Sequence, residues 1–318
     1  MDDPEYFYIP IISTNNIQGN YNQNEIIENN ITYKVGGLTY LSRYIEILKD
    51  EFGKKRVIYL DAGEHYDLDD FNNSINIEKF FNYAGLNGTI LNENDKNSID
   101  TEDLLNKTNY TVLGYYNENY IIYNICLLNG DIIKIGVVGY NINKDLNYQL
   151  EKIIDEINLY IDKISKENEI NAIILLTNLE IRCIVKDLSL DMYMNTTQLC
   201  DEYSMDNKTI FNVLKNISNI DAVILSNSYD NEIHHWEKGI PLMSSPSKGK
   251  YFNIMYLPFK KLSGKYILEN TEIKIEGPLP ICEKIFNDTQ ICDSDIPTDT
   301  NESIYFSWHG RKIISNLI

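Results

Sequence analysis

The residues of this sequence that could do chemistry lie where short apolar runs give way to polar loops. Asn16 and Gln18 follow the β-branched and aromatic run Tyr6 to Ser13, and Asp61 and Glu64 follow Arg56 to Leu60. Asn92 and Glu93 follow Gly88 to Leu91, Asn178 follows Ala172 to Leu176, and Asn227 and Tyr229 follow Ala222 to Leu225. Together they offer carboxamides, a phenol and few carboxylates. Oxygen donors of this kind suit a hard cation such as magnesium or calcium, whereas zinc-type ions favour imidazole and thiolate. No Ser/His/Asp or Cys/His nucleophile set can be assembled, and no GxxxxGK phosphate loop occurs.

The histidines add little to this set. His65 directly follows Glu64, and an ion held by Glu64, His65 and Glu93 is conceivable. Adjacent side chains usually point apart, however, so a solvated loop is the preferred reading. His234 and His235 read as an exposed turn or edge strand, and Trp308-His309 as surface. Asp61, just before Ala62-Gly63, reads as a hydrogen-bond acceptor that stabilises its loop rather than as support for a metal.

The elements that must position these residues alternate between strand and helix. Pro10 in the first run is tolerable if that strand begins late or lies at an edge. Leu38, Leu41, Ile45, Leu48 and Phe52 recur at spacings of three and four, one face of an amphipathic helix that Gly53 would end. Ile75 to Ala84 is a second helix candidate. Asn129-Gly130 marks a hairpin between Ile121 to Leu128 and Ile132 to Val138. A stripe from Leu146 to Ile164 predicts a long helix before the strand Ala172 to Leu176, and the same unit repeats at Ile210 to Ile217 and Ala222 to Leu225. This is α/β alternation. Pro241 to Leu257 and Leu262 to Ile275 read as strands of a meander.

With 318 residues and 43% hydrophobic content, the chain can bury a full core. Its net charge of -19, with no cluster of Lys or Arg, argues against nucleic acid and anionic membrane surfaces as partners. No apolar run is long enough for a membrane-spanning helix, and Met-Asp-Asp-Pro lacks the basic and apolar parts of a signal peptide. The compartment stays open: secreted if a leader was removed, otherwise cytoplasmic.

The cysteines are spaced unlike any zinc pattern. Cys183 with Cys200 and Cys282 with Cys292 would each close a short loop in an oxidising compartment, leaving Cys126 as a buried thiol inside an apolar strand. Five reduced, mostly buried cysteines are the equal alternative. Ten Asn-x-Ser/Thr sequons occur, and they lend weak support to a secretory route and a glycoprotein.

Several of these segments, taken in order, resemble one family. Ile11-Ile12-Ser13-Thr14-Asn15-Asn16-Ile17-Gln18-Gly19 resembles the opening "IxHTNDxHG" of the 5'-nucleotidase and apyrase branch of the calcineurin-like metallophosphoesterases. Gly36-Gly37-Leu38 with its helix, leading to Leu60-Asp61-Ala62-Gly63-Glu64, is similar to that family's "GGLAxL" and "LLLDAGD". Thr89 to Asn94, Ile173 to Leu179 and Ile220 to Tyr229 lie where the family has "xxLGNHEFD", "IIxLTHLG" and "xDxIxGGHSHT". The resemblance runs from about residue 6 to about residue 280. It implies a four-layer α-β-β-α sandwich of two mixed sheets over residues 1–280. A tail would follow at 281–318, without the family's C-terminal nucleotide-binding domain.

The resemblance also implies a dinuclear metal site whose ligands are an Asp, a His, a bridging Asp, an Asn and three further His. At the matching positions stand Asn16, Gln18, Glu64, Asn92, Asn178, Asn227 and Tyr229, of which only Asn92 is unchanged. Glu93 replaces the family's catalytic His. Two divalent ions bring four positive charges, and Glu64 alone among these ligand positions is anionic. The expectation is therefore a pseudoenzyme with no metal and no other cofactor, acting through an unknown protein partner. The alternative is a residual phosphoester hydrolase with a single magnesium or calcium ion at Glu64, Asn92 and Glu93. A stored or secreted structural protein without a specific ligand is a third reading.

Overall fold

The computed structural model describes residues 6–28, 31–66, 71–98, 105–114, 119–141, 150–167, 169–179, 208–226, 233–237, 239–246, 248–281, 304–308 and 311–315. The chain opens with β1 (Phe7–Thr14), the hairpin β2 (Gln23–Glu28) and β3 (Ile31–Gly36), α1 (Leu38–Phe52), β4 (Ile58–Asp61), α2 (Phe71–Ala84), β5 (Gly88–Ile90) and α3 (Glu93–Ser98). It continues with β6 (Thr111–Leu113), β7 (Tyr120–Cys126), β8 (Ile132–Tyr140), α4 (Leu150–Glu167), β9 (Ala172–Thr177), α5 (Lys208–Asn216) and β10 (Ala222–Leu225). Then come β11 (Ile233–Glu237), β12 (Ile240–Ser244), β13 (Tyr251–Leu262), β14 (Lys265–Leu268), β15 (Lys274–Pro280) and the hairpin β16 (Ile304–Trp308) and β17 (Arg311–Ser315).

Two mixed sheets result, one ordered β14-β13-β1-β4-β5-β6 with β15 also on β13, the other β11-β12-β10-β9-β8-β7. The alternation of side chains along each strand sorts the apolar residues into three cores. Ile9, Ile11, Ile58 and Leu60 from the first sheet meet Ile133, Ile135, Ile174 and Ile224 from the second. The intervening positions face outward. Tyr8, Ile12 and Tyr59 pack under α1 and α2 with Leu41, Ile45, Leu48, Phe80 and Phe81, while Val138, Leu175 and Val223 pack under α4 and α5 with Ile157, Ile161, Phe211 and Leu214. Helix, sheet, sheet, helix is the four-layer α-β-β-α arrangement that the family resemblance implies.

Helix α1 buries the expected stripe and stops at Gly53, whose φ of 96° suits glycine and whose N–H is donated to Lys49 O. The Asn129-Gly130 turn joins β7 to β8 as expected, with Gly130 N–H donated to Leu127 O at 3.0 Å.

Three expectations are corrected. Pro10 lies neither at a late start nor on an edge strand, because β1 runs between β13 and β4. It is accommodated because the parallel partner begins only at Ile11 opposite Ile58, so at Pro10 the ladder is one-sided. Cys126 is exposed, not buried, because β7 is an edge strand whose alternation turns Ile125 inward and Cys126 outward. The run Pro241 to Leu257 is not one strand of a meander. It breaks at Lys248 and Gly249, both with positive φ, so β12 joins the second sheet and β13 the first. That crossing ties the two sheets together beside the end of β1.

His234 and His235 lie on β11, an edge strand of the second sheet.

Candidate functional site

Strands β1, β4 and β5 of the first sheet run parallel to one another, as do β8, β9 and β10 of the second, and Ser226 after β10 meets Asn16 after β1, so their carboxyl ends open at a common edge. Loops leaving such ends are where open α/β sheets place their ligands. Here the β1 loop is stitched to the β4 loop through its backbone. Asn16 N–H is donated to Gly63 O at 2.8 Å, Gln18 N–H to Glu64 O at 2.9 Å and Gly19 N–H to His65 O at 2.8 Å. Asn16, Gln18 and Glu64 all take left-handed φ, at 51°, 51° and 59°. For residues with a Cβ this is costly, and clusters of such residues mark functional sites.

The β4 loop is anchored from below by charge. Asp61 and His65 are both fully buried, with His65 Nε2 2.6 Å from Asp61 Oδ1. Thr14 donates its hydroxyl to Asp61 Oδ2, Gly63 N–H is donated to Asp61 Oδ1 at 2.8 Å, and Thr89 Oγ1 lies 2.9 Å from the same His65 nitrogen. Burial alone would lower the pKa of His65, but the carboxylates of Asp61, Asp95 and Glu64 outweigh it and hold the imidazole above its ordinary value. The ring stands edge-on to Phe81, 4.9 Å between centroids.

Asp95 performs the same task for the β5 loop. Its carboxylate accepts N–H donors from Glu64 at 2.9 Å, His65 at 2.7 Å, Tyr66 at 3.2 Å and Asn92 at 3.2 Å. In return, Asp95 N–H is donated to Asn92 Oδ1 at 2.9 Å, so the pair caps α3 reciprocally. Gly63 lies between the loops with φ +95°, and a Cβ there would approach Ile90 O to 3.1 Å. Only glycine meets both demands.

The sequence reading of His65 as solvated is thus corrected. The ring turns inward to Asp61 at the end of β4 and Thr89 on β5, and Thr14 on β1 holds the other oxygen of that Asp61 carboxylate. Asp95 escapes the sequence reading altogether, although Asn92-x-x-Asp95 at a helix start is a capping signature that the sequence displays. Thr14 and Thr89 carry no such signal.

Of the residues singled out from sequence, the structure gathers Asn16, Gln18, Asp61, Glu64, Asn92 and Glu93 around the β1, β4 and β5 loops. Gln18 donates its amide to Glu64 Oε2 at 3.3 Å, and Asn16 Oδ1 accepts the Ser226 hydroxyl at 2.6 Å, which brings the end of β10 to the same place. Glu93 turns to Lys96 at 2.9 Å. Asn178 follows β9 and is nearly buried. Asn227, Tyr229, Cys183, Cys200, Cys282 and Cys292 lie outside the described residues.

The described members of this donor set are poorly matched to a pair of divalent ions. The amide oxygens of Asn16 and Asn92 are engaged by Ser226 and by Asp95 N–H, Gln18 offers an N–H, and the buried imidazole is turned to Asp61. Neutral amides are weak donors to zinc-type ions, and these hydrogen bonds compete for their oxygens. Among the described residues, no three His, Cys, Asp or Glu side chains gather into a group that could hold an ion, and no helix is long and apolar enough to cross a membrane.

No family model matches the sequence, and no curated protein matches it. Solved structures do. The NAD nucleotidase of Haemophilus influenzae is similar over 87% of this chain at 14% identity, with a TM-score of 0.58. A calcineurin-like phosphoesterase of Bacillus subtilis is similar over 86% at 16% identity, with a TM-score of 0.57. A 5'-nucleotidase precursor of Thermus thermophilus is similar over 85% at 10% identity, with a TM-score of 0.54. The chain spans 50% and 54% of the two nucleotidases and 91% of the phosphoesterase. At these identities the likeness speaks for architecture: the chain has the metallo-dependent phosphatase-like fold that calcineurin-like phosphoesterases and 5'-nucleotidases share.

Proposed function

We propose that this chain is a catalytically silent, 5'-nucleotidase-like protein that acts by binding, its domain covering residues 1–280. The fold of its structural neighbours supports the family. The observation that carries the silent reading is the use of the ligand-position amides, because Asn16 and Asn92 commit their amide oxygens to Ser226 and Asp95, and Gln18 its amide nitrogen to Glu64. A carboxylate at Glu93 adds to this, since it would repel the phosphoryl oxygens that a catalytic imidazole stabilises. No cofactor is required by this reading, and the partner is a protein whose identity the site does not specify.

Metal analysis of the purified chain, with phosphatase assays on nucleotides and generic phosphoesters, tests it. The expected result is sub-stoichiometric metal and no turnover above background. Stoichiometric transition metal with chelator-sensitive turnover ends the proposal. One observation favours a second reading: Glu64 stands only half-buried at the mouth of the loops, where a single magnesium or calcium ion could reach it. Cation-dependent thermal stabilisation that vanishes in Glu64→Ala would select that reading.

A further inference from the structure

The amino edge of the second sheet, opposite the loops described above, holds a cavity of about 270 Å³. Strands β9 and β10 begin there. The cavity is lined by Ser165 from the last turn of α4, by the residues from Ile170 to Ile173 that lead into β9, and by Asn219 and Asp221 ahead of β10. Ser165 and Asn219 are exposed, Asp221 is half-buried, and Ala172 and Ile173 are buried, so a polar mouth opens over an apolar base. Asn171 is a fixed part of the wall, because its Oδ1 accepts Lys134 N–H at 2.7 Å and its Nδ2 donates to Tyr266 O at 2.8 Å. Asn219 is held in the left-handed region, at φ 60°, in the loop between α5 and β10.

Among the lining residues only Asp221 is charged. Its Oδ2 accepts Ile173 N–H at 2.8 Å, whereas its Oδ1 has the Asn270 amide at 3.4 Å. The groups that act on this carboxyl against burial are these two donors, with no lysine or arginine among them. Lys166, in the same helical turn as Ser165, is turned to Asp162 at 3.3 Å. The carbonyl oxygens that end α4 add partial negative charge on the same side. From this arrangement we infer a binding site for a small alkylammonium ligand, formed by Asp221, Ser165 and Asn219. An ammonium group has three N–H donors and no acceptor, and it meets here a carboxylate, a hydroxyl and a carboxamide oxygen. Its hydrocarbon stem suits the apolar base laid by Ile170, Ala172 and Ile173. An anion would meet Asp221 in a chain of net charge -19. A metal dication would find one carboxylate, since among the described residues no three His, Cys, Asp or Glu side chains gather. The inference is independent of the silent reading, because it concerns the other edge of the sheets.

The test uses the full chain at neutral pH, with n-butylamine and putrescine as probes in saturation-transfer NMR, each at about 10 mM. Butanol and butyrate share the stem without the ammonium and serve as counter-probes. The expected result is transfer to the amines and not to butanol or butyrate, with affinity falling about tenfold or more in Asp221→Asn. Affinity should be unchanged in Asp50→Asn, which removes an exposed carboxylate from α1 and controls for attraction to an acidic chain in general. If Asp221→Asn fails to fold, Ser165→Lys keeps the test valid. It lies at an exposed helix position, and it brings a tethered ammonium to the cavity that should exclude the free amines to the same extent. Absence of transfer to both amines overturns the inference, as does binding undiminished in a folded Asp221→Asn or, failing that, in Ser165→Lys. Equal loss in Asp50→Asn, equal transfer to butanol, or complete displacement of the amines by equimolar magnesium also overturns it. A chain that ignores both amines removes this inference alone, whereas chelator-sensitive phosphatase turnover removes the silent reading and leaves this site standing.

Discussion

Asp95 and Asp221 are both carboxylates tucked under loops, at opposite edges of the sheets. At the carboxyl edge, Asp95 is fully buried, accepts N–H groups from Glu64, His65, Tyr66 and Asn92, and shares its neighbourhood with the imidazole of His65. At the amino edge, Asp221 is half-buried beside a cavity of about 270 Å³ lined in part by Ser165, Asn171 and Asn219. It accepts Ile173 N–H at 2.8 Å and the amide of Asn270 at 3.4 Å. The difference is one of completeness. A carboxylate removed from water needs its lone pairs filled: Asp95 has four N–H donors and a neighbouring imidazole where Asp221 has two donors, and burial holds both carboxyls above the ordinary aspartate value.

The largest expected effect follows from breaking the complete side. Replacing His65 with alanine strips the fully buried Asp61 of its imidazole partner and removes the ring that packs on Phe81. A loss of about 3–5 kcal/mol in unfolding free energy is expected, the range for breaking a buried charged pair. Asp95→Ala belongs in the same range, since it orphans the four N–H groups it serves. Urea unfolding measures both. A loss under about 1 kcal/mol for His65→Ala would mean that the edge is held by its backbone stitching instead.

The same contrast explains what could be read from the sequence. The α/β alternation was legible because apolar periodicity, the Gly36-Gly37-Leu38 helix start and the Asn129-Gly130 turn are local signals, each decided within a few residues, whereas the four layers followed only from the resemblance to the metallophosphoesterases. The network beneath the site was not, because its members converge only in three dimensions. Asp61 could be read as a loop acceptor from its place before Ala62-Gly63. The inward turn of His65 shows only where Asp61 and Thr89, on separate strands, meet its ring, and the Thr89 hydroxyl gives no sequence pattern. Cys126 failed for another reason: an apolar run does not reveal that its strand lies at an edge with alternate residues in solvent.

An intermediate effect sharpens the comparison at single glycines. Gly63→Ala forces a side chain into φ +95° with its Cβ 3.1 Å from Ile90 O, within the tight loops. Gly264→Ala, at the β13 to β14 turn, meets a similar φ of +85° with nothing within 4 Å. Both carry the left-handed penalty of about 1 kcal/mol, and Gly63→Ala should lose about 1–2 kcal/mol more because backbone must move. Thermal melts of the two variants side by side would show it, and equal losses would mean that the β4 and β5 loops yield as easily as an open turn.

The smallest effect lies at Asp221 and is best seen through pH. Burial raises the pKa of this carboxyl, opposed by the N–H of Ile173 and the amide of Asn270. Between the ordinary aspartate value of about 3.9 and the raised folded value, the folded chain binds more protons than the unfolded one, so stability falls as pH rises through that window. The contribution is fully present below the unfolded value and lost above the folded one. Asp221→Asn removes the titration while keeping an oxygen for Ile173 N–H. Its stability should stay within about 1 kcal/mol of the parent at pH 7. As pH falls toward 4, the parent should gain relative to the variant, because only the parent can take up the proton. Denaturant midpoints of both chains at the two pH values measure this. A relative gain by the variant in acid would show that Asp221 is stabilised in its charged form by Ile173 N–H and the Asn270 amide, against the burial that raises its pKa.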